Sequence, residues 1–267
     1  MYIKDFLEKM TNIQQNLLGY FDDENDSEDE FQKIKDILTK NIIKDSKYEL
    51  KPFLYLLSKI CNNHQRSVNF FNKIERIINF LKDDLQKHFS SLELFHIFKN
   101  SKRILLFLVE SKMMIIDKLI FQQINEFKYS FKYYSQYFYP EIEPFISENN
   151  YLLLEIENGI PENFYEKRKI GENGNFICQL IRKDSLDDFI VYINKHNYQF
   201  DTMIYPSIYE TNYFLLKKSN STIIEYAAFF GSIQIFNYLK NNGAELTPSL
   251  WNYAIHGRNS EIIQILE

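Results

Sequence analysis

NSTIIEYAAFFGSIQIFNYLKNNGAELTPSLWNYAIHGRNSEIIQILE, residues 220–267, decides the fold. One pattern occurs in it twice. Ala227, Ile235, Phe236 and Leu239 return as Ala254, Ile262, Ile263 and Leu266, each shifted by 27 positions. Such a period marks a unit of two short helices that buries its apolar face by stacking on the next unit. Each residue type in the unit has a physical reason. Thr222 stands where a helix needs a cap. Ala227 and Ala228 are small where two helices approach closely. Gly231 allows the left-handed turn that stops the first helix, and Gly243-Ala244 stops the second. Thr247-Pro248 then reads as cap and first residue of the next helix.

Upstream, 176–181 and 186–193 read as another helical pair. Phe189, Ile190 and Ile193 correspond to Ile235, Phe236 and Leu239 at a shift of 46. The excess falls in 194–220, which reads as a loop packed by its own aromatics, among them Tyr198, Phe200 and Tyr213. A fainter echo places Ser91, Ser101, Ile104, Leu105 and Leu108 where Thr222, Ser232, Ile235, Phe236 and Leu239 stand. Nearer the start, Ile3, Phe6, Leu7, Met10, Ile13 and Leu17 keep helical spacing, as do Phe31, Ile34, Ile37 and Leu38. Pro52 suits the first turn of a helix carrying Phe53, Leu56, Leu57 and Ile60. A long helix is expected from Phe70 to Leu85, and another through Met113, Ile116, Leu119 and Ile124.

The fold class expected is all-α: a solenoid of stacked helical hairpins with ankyrin-like repeats in the C-terminal part. The motif Thr222-x-x-Glu225-x-Ala227-Ala228-x-x-Gly231-Ser232-x-x-Ile235-Phe236-x-x-Leu239, then Gly243-Ala244, resembles an ankyrin repeat. The proline after the threonine is Ile223 here and the usual histidine is Glu225. With 27 residues against the usual period of about 33, the protruding hairpin should be reduced or absent between the last two units. Asn62-Asn63-His64-Gln65-Arg66-Ser67, Arg168-Lys169-Ile170-Gly171-Glu172-Asn173, Leu180-Ile181-Arg182-Lys183-Asp184-Ser185, Pro206-Ser207-Ile208-Tyr209-Glu210 and 225–232 together resemble the divergent ankyrin-like proteins of unknown function expanded in trichomonad protists. That resemblance implies an interaction scaffold preceded by a helical region, with no established partner and no catalytic residues. The divisions expected are a helical region 1–150, a connecting segment 151–174 and repeats over 175–267, the last incomplete or uncapped. Trp251, Ile262 and Leu266 would then form an apolar edge open to self-association.

Composition excludes several classes. Hydrophobic residues make up 45% of the 267 and aromatics 16%, enough for a large core. Seven Gly and six Pro are few for a many-stranded fold. The net charge of −5 is concentrated in 22–30, which carries seven acidic residues, so the remainder is near neutral. That run reads as an acidic linker. It fails as a calcium loop, with Ser27 where glycine is needed and Lys33 where glutamate is needed. Cys61 and Cys178 lie far apart on apolar patterns, which suits a reduced, cytoplasmic setting. No apolar run is long enough to cross a bilayer.

No catalytic residue, metal ligand or cofactor is expected. His64, His88, His96, His196 and His256 show no metal spacing. Cys178 on an apolar face reads as core, and Asp187-Asp188 as a solvated face. The expected function is non-catalytic protein binding. By the ankyrin pattern the contact candidates are Asn220, Ser221, Phe229 and Phe230, with packing under the preceding loop as the rival role for the two phenylalanines. Two alternatives stand beside it: an enzyme or nucleotide-binding domain on a helical scaffold, and weak nucleic-acid binding through the aromatic and lysine face 127–139. No nucleic-acid partner is expected from the charge.

Overall fold

The computed structural model describes residues 3–23, 25, 27–42, 46–63, 69–126, 131–146, 162–218 and 220–267. Of these, 72% are helical. They form eighteen α-helices and one two-stranded ladder. The first ten helices are α1 (Ile3–Asp22), α2 (Glu28–Asn41), α3 (Lys47–Asn63), α4 (Phe70–Phe80), α5 (Lys82–His88), α6 (Ser91–Phe98), α7 (Lys102–Glu110), α8 (Lys118–Glu126), α9 (Phe131–Tyr137) and α10 (Tyr139–Ile142). Then come α11 (Phe164–Ile170), α12 (Phe176–Arg182), α13 (Leu186–Lys195), strand β1 (Met203–Ile204), α14 (Tyr213–Lys218) and strand β2 (Ser221–Thr222). The last four are α15 (Ile223–Phe230), α16 (Ile233–Asn241), α17 (Leu250–Gly257) and α18 (Ser260–Leu266). Among the described residues no helix is long and apolar enough to cross a membrane. Two compact units result, one of residues 1–126 and 140–146, the other of 127–139 and 147–267.

In the first unit, α1 packs on α2 and α3, α3 on α6, and α6 on α7. Lys73 is fully buried. Its ammonium donates to the carbonyls of Tyr20 (2.7 Å) and Asp23 (2.6 Å) and lies over the Tyr20 ring. These carbonyls lie at the C-terminal end of α1, where the negative end of the helix dipole favours a cation. The acidic run is shared between two helices. Asp22 closes α1, and the Glu30 N–H donates to the Ser27 hydroxyl that caps α2. Glu28, Asp29 and Glu30 form the first turn of α2, where the dipole favours negative charge. The connection is thus 23–27, shorter than the run itself.

Other boundaries differ from expectation for local reasons. The helix around Pro52 begins five residues earlier, at Lys47. Proline removes an N–H from that helix, and the carbonyl it leaves belongs to Tyr48 in the exposed first turn. The expected long helix is broken at Leu81, giving α4 and α5. Met113 and Ile116 precede α8, whose first turn is capped by Asp117, the acceptor for the Ile120 N–H at 2.9 Å.

In the second unit, α12 packs on α15 and α15 on α17, forming one layer. Beside it α13 packs on α16 and α16 on α18. Each pair, α12/α13, α15/α16 and α17/α18, links the layers. Ile177, Cys178, Ile181, Ala227, Ala228, Ile235, Phe236, Leu239, Leu250, Ala254 and Ile262 form the core between them. Every residue of α15 except Phe230 is buried. A large apolar side chain buried in this way contributes about 1.5–3 kcal/mol. The capping box of α15 is closed on both sides, with Thr222 N–H donating to the Glu225 carboxylate (2.9 Å) and Glu225 N–H to the Thr222 hydroxyl (3.3 Å). The cap of α17 is Ser249, two residues beyond the expected Thr247. Thr247 and Ser249 are both drawn to the Glu225 carboxylate, at 3.4 and 2.6 Å, which turns the chain before the helix starts. The expected loop 194–220 contains β1 and α14, and β1 pairs antiparallel with β2 just beyond it, Met203 with Thr222 and Ile204 with Ser221.

A close approach of backbone to backbone occurs at Gly257, the last residue of α17. A β-carbon there would stand 2.0 Å from the Ala228 carbonyl oxygen. Gly257→Ala is therefore expected to destabilise the chain by about 3 kcal/mol or more, because backbone must move to admit a methyl group. Gly174 has nothing within 4 Å of such a carbon. Gly174→Ala should stay within about 0.5 kcal/mol of wild type. Urea unfolding of the two variants checks the contrast.

Candidate functional site

The stack is joined by side chains at helix ends. Asp184 ends α12 in the left-handed region (φ 49°). Its carboxylate accepts the N–H groups of Gln234 and Ile235, both at 3.0 Å, and so caps α16 of the next pair. The Ser232 hydroxyl donates 2.6 Å back to the Ile181 carbonyl. One pair further on, the Asn259 amide donates to the Gly231 carbonyl (3.0 Å) while its oxygen caps α18. Asp184, Gly231 and Arg258 occupy the same place, a residue at positive φ just after the first helix of a pair. The second helices α13 and α16 also end alike. Tyr198 N–H donates to the Ile193 carbonyl and Ala244 N–H to that of Leu239, behind Asn197 and Gly243 at positive φ.

α9, α11 and α14 are tied to one another and to the first layer by side chains. Tyr137 of α9 and Arg168 of α11 exchange hydrogen bonds, hydroxyl to carbonyl at 2.9 Å and guanidinium to carbonyl at 3.1 Å. Thr211, just before α14, donates to the Gly171 carbonyl from its hydroxyl (2.6 Å) and its N–H (3.1 Å). Phe214 of α14 then stacks on Phe229 (centroids 5.6 Å, interplanar 11°) and meets Tyr253 edge-on at 5.0 Å. Arg182 bonds the Asn173 carbonyl (2.9 Å), the Tyr226 hydroxyl (3.1 Å) and the Glu172 carboxylate (2.8 Å), and sits over Phe230.

This cover decides where the expected contact residues fall. Asn220 is exposed. Ser221 is buried and paired within β2, and Phe229 is buried beneath Phe214. Phe230 is half-buried between Tyr226 and Phe229. Ser221 and Phe229 are therefore inside the fold, Ser221 through the pairing of β2 with β1 and Phe229 because the chain supplies its own aromatic ring to that face. A sequence signal for α14 existed: Asn212 followed by Tyr213-Phe214-Leu215-Leu216 and two lysines is a cap, an apolar turn and a basic end. Asn212 does accept the Phe214 N–H, at 3.0 Å. Exposed apolar side chains missed from sequence include Met203 and Tyr205 at β1 and Leu246 in the loop before α17, besides Phe176, Val191 and Ile255 on helices; Asn220, just before β2, is exposed as well.

The polar interior of this unit gives little chemistry. A cleft lined by Asn173, Glu210, Asn220, Ser221 and Tyr226 has room for about one water molecule. Burial pushes the Cys178 thiol up to about 12, although Tyr226 and Arg182 act the other way. At neutral pH that thiol is protonated and a poor nucleophile. Asp188 accepts the Ser185 hydroxyl on an exposed turn, and Asp187 is exposed beside it. Among the described residues no group of three His, Cys, Asp or Glu could hold a metal ion. Of the aromatic and lysine face, Phe127 to Ser130 and His64 of the N-terminal junction lie outside the described residues. Tyr134, Tyr137 and Phe138 are buried, so these rings offer no platform to a base. No protein family, curated protein or solved structure matches the chain.

Two outcomes follow from these ties. Asp184→Ala removes the cap of α16 and is expected to cost about 1–2 kcal/mol in urea unfolding, with Asp184→Gly losing less because glycine relieves the left-handed backbone. Cys178 is expected to resist a maleimide or disulfide reagent until denaturant is added; fast labelling of native protein would show the thiol to be open.

Proposed function

We propose that this chain is a non-catalytic protein-interaction scaffold, an α-solenoid of ankyrin-like repeats resembling the divergent family expanded in trichomonad protists. The resemblance of the Thr222–Leu239 motif supports the family. The stacking of α12/α13, α15/α16 and α17/α18 in two layers, with recurrent end turns, is what such repeats require. The contact surface belongs at the loop edge rather than on the covered face of α15. Met203 is 45% exposed, Tyr205 64% and Leu246 42%, and Asn220 is exposed between them in sequence. Large apolar and aromatic side chains on loops held by a rigid stack are the usual anchors of a protein contact. The protonated thiol of Cys178 supports a binding role over thiol-based chemistry.

The single observation that carries this reading is the exposure of Tyr205 and Leu246 on the loop edge of a stack whose inner face is filled. A Tyr205→Ser, Leu246→Ser double variant is expected to keep its unfolding midpoint and lose about tenfold or more of partner recovery in affinity purification from the native cell. Full recovery of every partner would reject the loop edge as the contact surface.

A further inference from the structure

α14 meets the first layer through the Phe214 ring and the buried Leu215. Phe214 stacks on Phe229, meets Tyr253 edge-on, and has its centroid 4.2 Å from the imidazole of His256. The His256 ring also lies 5.5 Å from Phe229. Two cations are in reach of this stack: Lys218 of α14 holds its ammonium 5.8 Å from the Phe214 centroid, and Arg258, two residues after His256, acts on the imidazole. Glu225 of α15 is the acidic group on the facing helix. Its carboxylate already accepts the Thr222 N–H and the Thr247 and Ser249 hydroxyls.

We infer that α14 is an acid-released latch: protonation of His256 loosens α14 from the first layer and uncovers Phe229 and Tyr253. This goes beyond the interaction role and does not depend on it, since the latch needs no partner.

The physical basis is a balance that the closed form loses on acidification. A neutral imidazole fits an aromatic stack. A charged one gains some attraction from the Phe214 and Phe229 faces. Against this, it is partly removed from water and stands near the charge of Arg258. Burial first, and Arg258 second, hold the His256 imidazole below its ordinary range. The closed form thus prefers neutral His256, whereas with α14 lifted the imidazole is hydrated and takes a proton in the ordinary range. Stability of the closed form is complete above that range and falls as pH drops through it. The movement is a local opening of a six-residue helix and not unfolding of the stack; it has to lift the buried Leu215 and Leu216, which keeps the open form a minor one near neutral pH.

Hydrogen exchange read by mass spectrometry on peptides covering 211–218 tests the latch in the whole chain. After correction for intrinsic rates, exchange in wild type is expected to rise about threefold or more between about pH 7.5 and about pH 5.5, with α15 unchanged. His256→Phe keeps an aromatic ring and removes the proton site, and its exchange should be flat with pH. His256→Gln serves as a second neutral variant, held to the same criterion, if the first lowers overall stability. A flat wild-type response, or an acid response retained in either variant, overturns the proposal.

Discussion

The second unit depends on the distance between α15 and α17. Ala228 and Gly257 have so little side chain that one helix meets the carbonyl of the other, and a single methyl group would not fit. That approach fixes the spacing of the first layer. With the spacing fixed, Glu225 reaches Thr247 and Ser249, Tyr253 reaches the Asn220 carbonyl, and Asn259 reaches Gly231. Packing sets the geometry and the hydrogen bonds then register one pair against the next. The same division of labour joins α12 to α16, where Asp184 leaves its own helix in a strained left-handed turn and caps another.

The first unit repeats some of this local chemistry. Ser90 and Glu93 close a capping box on α6, as Thr222 and Glu225 do on α15. Ser101 and Ser232 stand at the N-caps of α7 and α16. Met113 N–H bonds the Leu108 carbonyl behind Lys112 at positive φ, as Ala244 does with Leu239 behind Gly243. Lys47 adds an ion pair to Glu93 and, through that hydrogen bond, holds its carboxyl down to about 2. The faint echo seen in sequence thus corresponds to shared end geometry. Its cap is Ser90, one residue before the matched Ser91, because the turn between α6 and α7 holds one residue more than that between α15 and α16.

The helices of the clear repeats were legible because periodicity, small residues and glycine stops agree there. Gly231 and Gly243 take the left-handed turns expected of them. Less legible were places where a distant partner overrides local preference. Thr247 looks like a cap until Glu225 is seen to claim it, and Asp184 looks like a surface acid until α16 arrives above it. Of the four contact candidates, Ser221 and Phe229 are buried, Phe230 is half-buried and Asn220 is exposed. The repeat pattern says which positions of α15 point out of the stack, and the rival role for its phenylalanines, packing under the preceding loop, is the one Phe229 takes beneath Phe214. Asn212 to Lys218 carried that information as a short capped helix, hidden inside a segment rich in aromatics.

The sealed face is also what moves the proposed contact surface to the loop edge and gives the imidazole of His256 its setting. A double-mutant cycle between Phe214 and Phe229, with leucine at either or both positions, reads the contact directly from unfolding free energies. A stacked pair at this separation predicts a coupling of about 0.5–1.5 kcal/mol. Additive effects within about 0.3 kcal/mol would mean that the two rings do not meet and that α14 leaves the face of α15 open.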